Sequence, residues 1–284
     1  VSLLRIDDPG PWRDPLVVVA FDAWVDAGSA SIAAAELLGG PGRIVGRVDG
    51  DACYDYRSRR PTLEIVDGRP QALTWPEVVL RLVPGRERDL LVVSGAEPDY
   101  RWRELAGEVV RFARTYGIRE WLSLGAIPAA VPHTRPVPVL GTESSPGLLR
   151  GPIRPGPDGT LRVPSACLSV LDHAIAEAGL DAVGYFAQVP HYVSGPYPAA
   201  SLALLDAVAR HLGEPVPRGD LAEQAEELRR RLDAATTVDE TTRTYVDRLE
   251  ATSDEERLAS GGDLIAEIER FLREQGGPGG SETD

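Results

Sequence analysis

Four stretches of the chain carry side chains able to bind a ligand or move a proton, and each follows an apolar run. Asp22, Trp24, Asp26 and Gly28 come after residues 16–21, and Ser94, Gly95 and Glu97 close the run that begins at Leu90. Gly125 leads from residues 121–124 toward His133, Thr134 and Arg135, and residues 182–187 lead into His191 and Tyr192. Glu97, His133 and His191 are the candidates for acid–base work, because imidazole and a tuned carboxylate exchange protons near neutral pH. Arg135, set between Thr134 and Pro136, is the candidate anion fork: its planar guanidinium matches a carboxylate or phosphate two bonds at a time. Each residue also has a plainer reading. Asp26 caps the helix behind it, Asp22 holds its own loop, and Trp24 packs rather than stacks. Glu97, before Pro98, forms a surface turn or pairs with Arg135, and the two histidines are hydrogen-bonded supports. His173 and His211 fall inside helical patterns and read as structural.

Other chemistries are missing from the text of the chain. It contains no lysine, so a P-loop lysine, a Schiff base and an ammonium clamp on phosphates are all excluded. Cys53 and Cys167 stand alone, without the paired spacing of a zinc or redox site. There is no HExxH, and no GxGxxG opens a helix after a strand. Val92-Val93-Ser94-Gly95 lacks the glycine that a nucleophile turn places two residues before its serine. Neither a metal nor a cofactor is expected.

The elements that must position these residues read as α/β. Residues 16–21, short, Val-rich and apolar at consecutive positions, read as a buried strand, and 44–48, 90–94, 121–124, 137–140 and 182–187 read as strands too. Residues 63–66 and 72–73 flank Asp67-Gly68, a hairpin signal. Helices are predicted over 29–38, 101–116, 165–178 and 198–212, the last three stopped by Gly117, Gly179 and Gly213. Strand 90–94, helix 101–116 and strand 121–124 have the spacing of a parallel crossover. If those strands run parallel, their exits share one edge, and the polar residues after them form a rim. Residues 147–164, rich in Gly and Pro, read as a loop or flap. From Asp220 the chain turns to charged helix, with capping-box spacing at Asp220–Glu223 and Ser253–Glu256. The expected organisation is a core over 1–213, a helical extension over 214–275 and a disordered tail over 276–284.

Charge narrows the partners. A net charge of −14 supplies no basic footprint for nucleic acid and disfavours anionic membranes. The triplet Arg229-Arg230-Arg231 sits among Glu226, Glu227 and Asp233 and reads as a solvated helix face. No apolar run is long enough to span a bilayer, and no apolar signal core follows the first residues, so a cytoplasmic protein is expected. The absence of Lys, Asn and Met beside abundant Ala, Arg, Gly and Pro points to a GC-rich genome.

Several of these segments, taken in order, resemble a known family. Phe21-Asp22-Ala23-Trp24-Val25-Asp26-Ala27-Gly28, Gly95-Ala96-Glu97-Pro98 with Trp102, and Leu124-Gly125-Ala126 are the first three. Pro132-His133-Thr134-Arg135-Pro136-Val137 and Pro190-His191-Tyr192-Val193 complete the set. Together they are similar to the bacterial, actinobacterial branch of the proteasome assembly chaperone 2 family, over about residues 1–213 and more loosely beyond. The resemblance implies a three-layer phosphorylase/hydrolase-like fold with a mostly parallel central sheet and a helical C-terminal appendage. It implies a homotrimer, and an assembly or scaffold role with a protein partner. The alternative is a nucleoside-phosphorylase-like hydrolase or transferase, or an anion binder, working at the rim. The family pattern Gly-Trp-Asn-Asp is altered here, with Ala23 and Val25 in place of the glycine and asparagine, which removes an amide contact from that loop.

Overall fold

The computed structural model describes residues 2–40, 42–153, 155–157 and 159–255. Its strands are β1 (Leu4–Ile6), β2 (Leu16–Asp22), β3 (Arg43–Val48), β4 (Thr62–Val66), β5 (Arg69–Thr74), β6 (Val78–Val83), β7 (Leu90–Ala96), β8 (Glu120–Ala129), β9 (Val139–Glu143) and β10 (Asp181–Pro190). The helices are α1 (Ala30–Gly39), α2 (Gly50–Cys53), α3 (Trp102–Thr115), α4 (Cys167–Glu177), α5 (Pro198–Leu212) and α6 (Leu221–Val238), with residues 240–255 also helical.

Eight strands form one sheet in the order β1-β3-β6-β7-β2-β8-β10-β9. β2 pairs in parallel with β7 and β8, and β8 in parallel with β10. The other four pairings, β1·β3, β3·β6, β6·β7 and β10·β9, are antiparallel. The sheet is therefore mixed and largely antiparallel, which corrects the mostly parallel phosphorylase/hydrolase-like sheet expected from the sequence. The difference has a physical source. Two strands that the apolar pattern did not single out, β1 and β6, both add antiparallel neighbours on the β7 side, and β9 turns back along β10.

The central strands are apolar at consecutive positions because both faces are covered. Val17, Val19 and Phe21 of β2 share a cluster with Leu91 and Val93 of β7, Leu105, Val109 and Phe112 of α3, and Leu168, Leu171 and Ile175 of α4. The alternate residues Leu16, Val18 and Ala20 are buried too, on the face that α1 covers. Helix α5 begins with Pro198 in its first turn and stops at Gly213, whose φ of 72° suits a residue without Cβ. The strands β4 and β5 form a ribbon of their own, every residue exposed, across a turn in which Asp67 and Gly68 both take positive φ.

The chain divides into two compact units. The first holds Val1–Ala129 and Val137–Leu228, the second Ala130–Pro136 and Arg229–Asp284. In the second, the Asp239 carboxylate accepts the Thr242 N–H at 3.0 Å and so opens the helix over 240–255. The capping-box sequence from Ser253 to Glu255 thus lies inside a helix already begun. Glu256, the rest of the expected extension and the tail 276–284 lie outside the described residues. Among the described residues, no helix is long and apolar enough to cross a membrane.

Candidate functional site

Parallel pairing of β7, β2, β8 and β10 sends their C-terminal ends to one edge of the first unit, where loops and helix starts supply polar groups. Asp22, Trp24, Asp26, Gly28, Ser94, Gly95, Glu97, Gly125, His191 and Tyr192 all belong to those strands or the segments that leave them.

The exit of β2 is held close to β8. Ala126 N–H donates to the Val25 carbonyl at 2.6 Å, and Asp26 forms a parallel bridge with Ala126. Asp26 Oδ1 accepts the Ser31 N–H and Ser31 hydroxyl, each at 2.7 Å, and thereby caps the start of α1. Burial raises the Asp26 carboxyl above its ordinary range, against the pull of these donors. Gly28 has a φ of 65°, and a Cβ there would stand 2.7 Å from that of Tyr197, whose N–H donates to the Gly28 carbonyl. Only glycine fits that position without strain. These bonds fix the loop and leave Trp24 pointing outward with 65% of its surface exposed.

Asp22 Oδ1 accepts from Arg59 at 2.8 Å and from the Glu97 N–H at 3.2 Å. Glu97 is buried, and its Oε1 accepts the Cys167 N–H at 2.7 Å, placing a carboxylate on the amino end of α4. Ser94 is buried within β7. Gly95 lies where any side chain would strike the Glu77 carbonyl. Gly125 gives its space to the ring of Phe186, its partner on β10, 2.5 Å from an added Cβ. His191 Nδ1 lies 3.0 Å from the Ala129 carbonyl, which only accepts, so the proton sits on Nδ1. Tyr192 meets the His191 ring edge to face at 5.6 Å.

His133, Thr134 and Arg135 belong to the second unit. His133 is buried, with Nε2 3.2 Å from Asp233. Burial holds its imidazole below the ordinary histidine range despite that carboxylate. Thr134 donates to Glu250. Arg135 reaches Asp254 at 2.9 and 2.8 Å, with Glu250 at 3.3 Å. The contact to Asp254 is the two-pronged one that a guanidinium favours.

At the edge of the first unit, then, Asp22, Asp26 and Glu97 accept bonds from backbone N–H groups. The edge presents fixed loops and an exposed indole. Among the described residues, no three His, Cys, Asp or Glu side chains gather as a metal site.

Two polar arrangements escape sequence reading. Glu120, His211, Tyr185 and Arg88 form a bonded chain at the opposite ends of β8 and β10, and Asp172 of α4 accepts from Trp121 and Ser123 of β8. Their partners lie from 26 to 91 residues apart, so no local motif announces them.

These features define an α/β protein with fixed loops and an exposed indole at its strand-end edge, and comparison with known proteins places it. Residues 20–236 match the PAC2 family, and the chain belongs to that family, in its actinobacterial branch. It is similar to a protein of unknown function from Corynebacterium glutamicum, at 29% identity and a TM-score of 0.83, covering 91% of this chain and 100% of that one. A proteasome-assembly chaperone homologue from Mycobacterium tuberculosis is 33% identical, with a TM-score of 0.73 over 81% of this chain and 99% of that one. An archaeal proteasome activator from Pyrococcus furiosus shares the fold at 18% identity, with a TM-score of 0.64 over 82% of this chain and 97% of that one. No curated protein matches the chain.

Proposed function

We propose that the protein is a homotrimeric assembly factor that works by binding another protein at its strand-end rim. Its partner, on this reading, is a proteasome subunit. The Mycobacterium tuberculosis relative is described as a proteasome-assembly chaperone homologue and the Pyrococcus furiosus one as a proteasome activator, which supports that choice. The observation that carries the reading is Trp24: a large indole, 65% exposed, on a loop whose backbone is tied to β8 and to the residue before α5. Exposed aromatic anchors on rigid supports are the residues that dominate protein interfaces, because they bury much area at little entropic cost.

The test uses the full chain with purified actinobacterial proteasome α- and β-subunits. Light scattering behind size exclusion is expected to give three chains per particle. Titration with separate subunits is expected to give a complex that Trp24→Ala weakens at least tenfold. A particle of any other stoichiometry removes the trimer. Failure to bind either subunit, or equal binding by the variant, removes the assembly role at this rim.

A further inference from the structure

Asp172, in the middle of α4, faces β8. Trp121 and Ser123, two apart on that strand and so on the same face, both donate to its Oδ1, the indole at 2.9 Å. Oδ2 receives neither. The carboxyl end is hemmed in by protein on the β8 side, while the residue as a whole is only half-buried, because it borders a hollow of about 170 Å³. The hollow opens between α4, the edge strand β9 and the start of β10. Thr142, Glu143, Asp172, His173, Ala176 and Gly184 line it.

A purely structural link between α4 and β8 would be made as well by an amide, which accepts the same two bonds without a charge to desolvate. The carboxyl is thus chemically in excess of its packing role: Asp172 lines the hollow, and its Oδ2 is outside the two bonds to β8. Across the hollow, Glu143 Oε2 accepts the Leu148 and Leu149 N–H groups at 2.8 and 3.0 Å, which hold it ionised below its ordinary range. Among the described residues, no arginine lines the space. Gly184 keeps the floor flat, since a Cβ there would meet Thr142 Oγ1 at 2.5 Å. The room suits roughly five waters, or a short alkyl chain with one polar head.

We propose that this hollow binds a small primary ammonium ion, its nitrogen on Asp172 Oδ2 and its alkyl chain against Ala176 and Gly184. An ammonium group offers three donors, enough for Asp172 and for hydroxyl or carbonyl oxygens around it. A metal ion fits less well, because no three ligating side chains converge among the described residues.

The binding carries a proton signature. Burial pushes the Asp172 carboxyl up to about 7, against the pull of Ser123 and Trp121. The titratable groups around it are Glu143 from β9, and His173 and Cys167 from α4; β8 and β10 present Trp121, Ser123, Ala182, Val183 and Gly184, none of which titrates in this range. At pH 6 the empty site is mostly the neutral acid, so the ammonium binds as that acid gives up its proton to solvent. At pH 8 the proton is already gone. Affinity therefore rises about tenfold from pH 6 to pH 8.

The experiment is calorimetric titration of the full chain with n-butylammonium at pH 6, 7 and 8, with n-butanol as the uncharged comparison. Saturable binding that tightens about tenfold across this range is expected, with none for butanol. Asp172→Asn keeps the acceptor for Trp121 and Ser123 and is expected to abolish binding. Ala176→Leu fills the hollow, leaves the carboxyl in place, and is expected to weaken binding at least tenfold. Should Asp172→Asn fail to fold by circular dichroism, Ala176→Leu and the pH slope carry the test. No saturable binding at any pH, equal binding by either folded variant, equal binding of butanol or a flat pH response would each overturn the proposal.

Discussion

The carboxyl ends of β2 and β7 and the amino ends of β8 and β10 handle polar groups differently. At the carboxyl end, acidic side chains bond to backbone: Glu97 to the Cys167 N–H, Asp26 to that of Ser31, Asp22 to that of Glu97. At the amino end, side chains bond to side chains. Arg88 donates to Glu120 at 2.6 Å, Glu120 meets His211 Nε2 at 2.7 Å, and His211 Nδ1 meets the Tyr185 hydroxyl at 2.9 Å. Tyr185 is fully buried, and the His211 side chain nearly so. The carboxyl end uses its carboxylates to shape loops and leaves an aromatic outside. The amino end clamps α5 to the sheet through a buried imidazole and phenol. Division of labour follows from the bonding: one end is built for display, the other for holding.

The largest expected effect breaks the holding end. His211→Ala leaves Glu120 with Arg88 alone and leaves the buried Tyr185 hydroxyl with only the Arg150 N–H. Losing a hydrogen bond to a carboxylate typically costs up to about 3 kcal/mol. Urea unfolding is expected to show a loss of that order with an unchanged slope. A loss under about 1 kcal/mol, the worth of an ordinary hydrogen bond, would mean that the chain of bonds does not clamp α5.

The same clamp has a pH signature. The hydrogen bond from His211, then that from Arg88, hold the Glu120 carboxyl at about 2, below its ordinary 4.5. A carboxyl depressed in the folded state stabilises the protein fully above the unfolded value, and that stability is lost as pH falls from about 4.5 through about 2. The expected contribution is about 2 kcal/mol after allowance for partial exposure. Glu120→Gln should remove most of it, so the stability gap between variant and parent should shrink as pH drops from 5 to 2.5. A gap that stays constant would assign Glu120 no proton-linked role.

How much of this contrast is readable in the chain depends on distance. Helix α5 is legible almost to the residue, since Pro198 starts it and Gly213 ends it. The strands β2 and β7 are legible because buried strands are apolar at every position. Strand β6, Val78–Val83, is interrupted by Arg81, follows Trp75-Pro76 closely and offers no polar exit to draw the eye; missing it, with β1, inflated the parallel share of the sheet. The rim residues could be named because strand ends are local features. What each carboxylate bonds to could not, since Glu97 reaches Cys167 across 70 residues and Asp172 reaches Trp121 across 51. Those partnerships exist only after the sheet has assembled.

At the display end the effects are smaller. Glu97→Ala leaves the Cys167 N–H without its acceptor and takes a negative charge from the amino end of α4, which together cost about 1–2 kcal/mol. Glu97→Gln keeps an acceptor oxygen and should recover most of the loss. Equal destabilisation by both variants would show that the charge, and not the bond, is what α4 requires.

The smallest effect is expected where the exposed surface is greatest. Trp24 contributes little to the core, and its loop is held by the Ala126–Val25, Tyr197–Gly28 and Ser31–Asp26 bonds, none of which uses the indole. Trp24→Ala should therefore change unfolding free energy by less than about 0.5 kcal/mol, as surface substitutions generally do. Gly28→Ala, by contrast, forces a Cβ against Tyr197 at a positive φ. It should cost more than about 1 kcal/mol while leaving the indole in place. If Trp24→Ala proved as destabilising as Gly28→Ala, the indole would be part of the scaffold, and the contrast between a holding end and a displaying end would collapse.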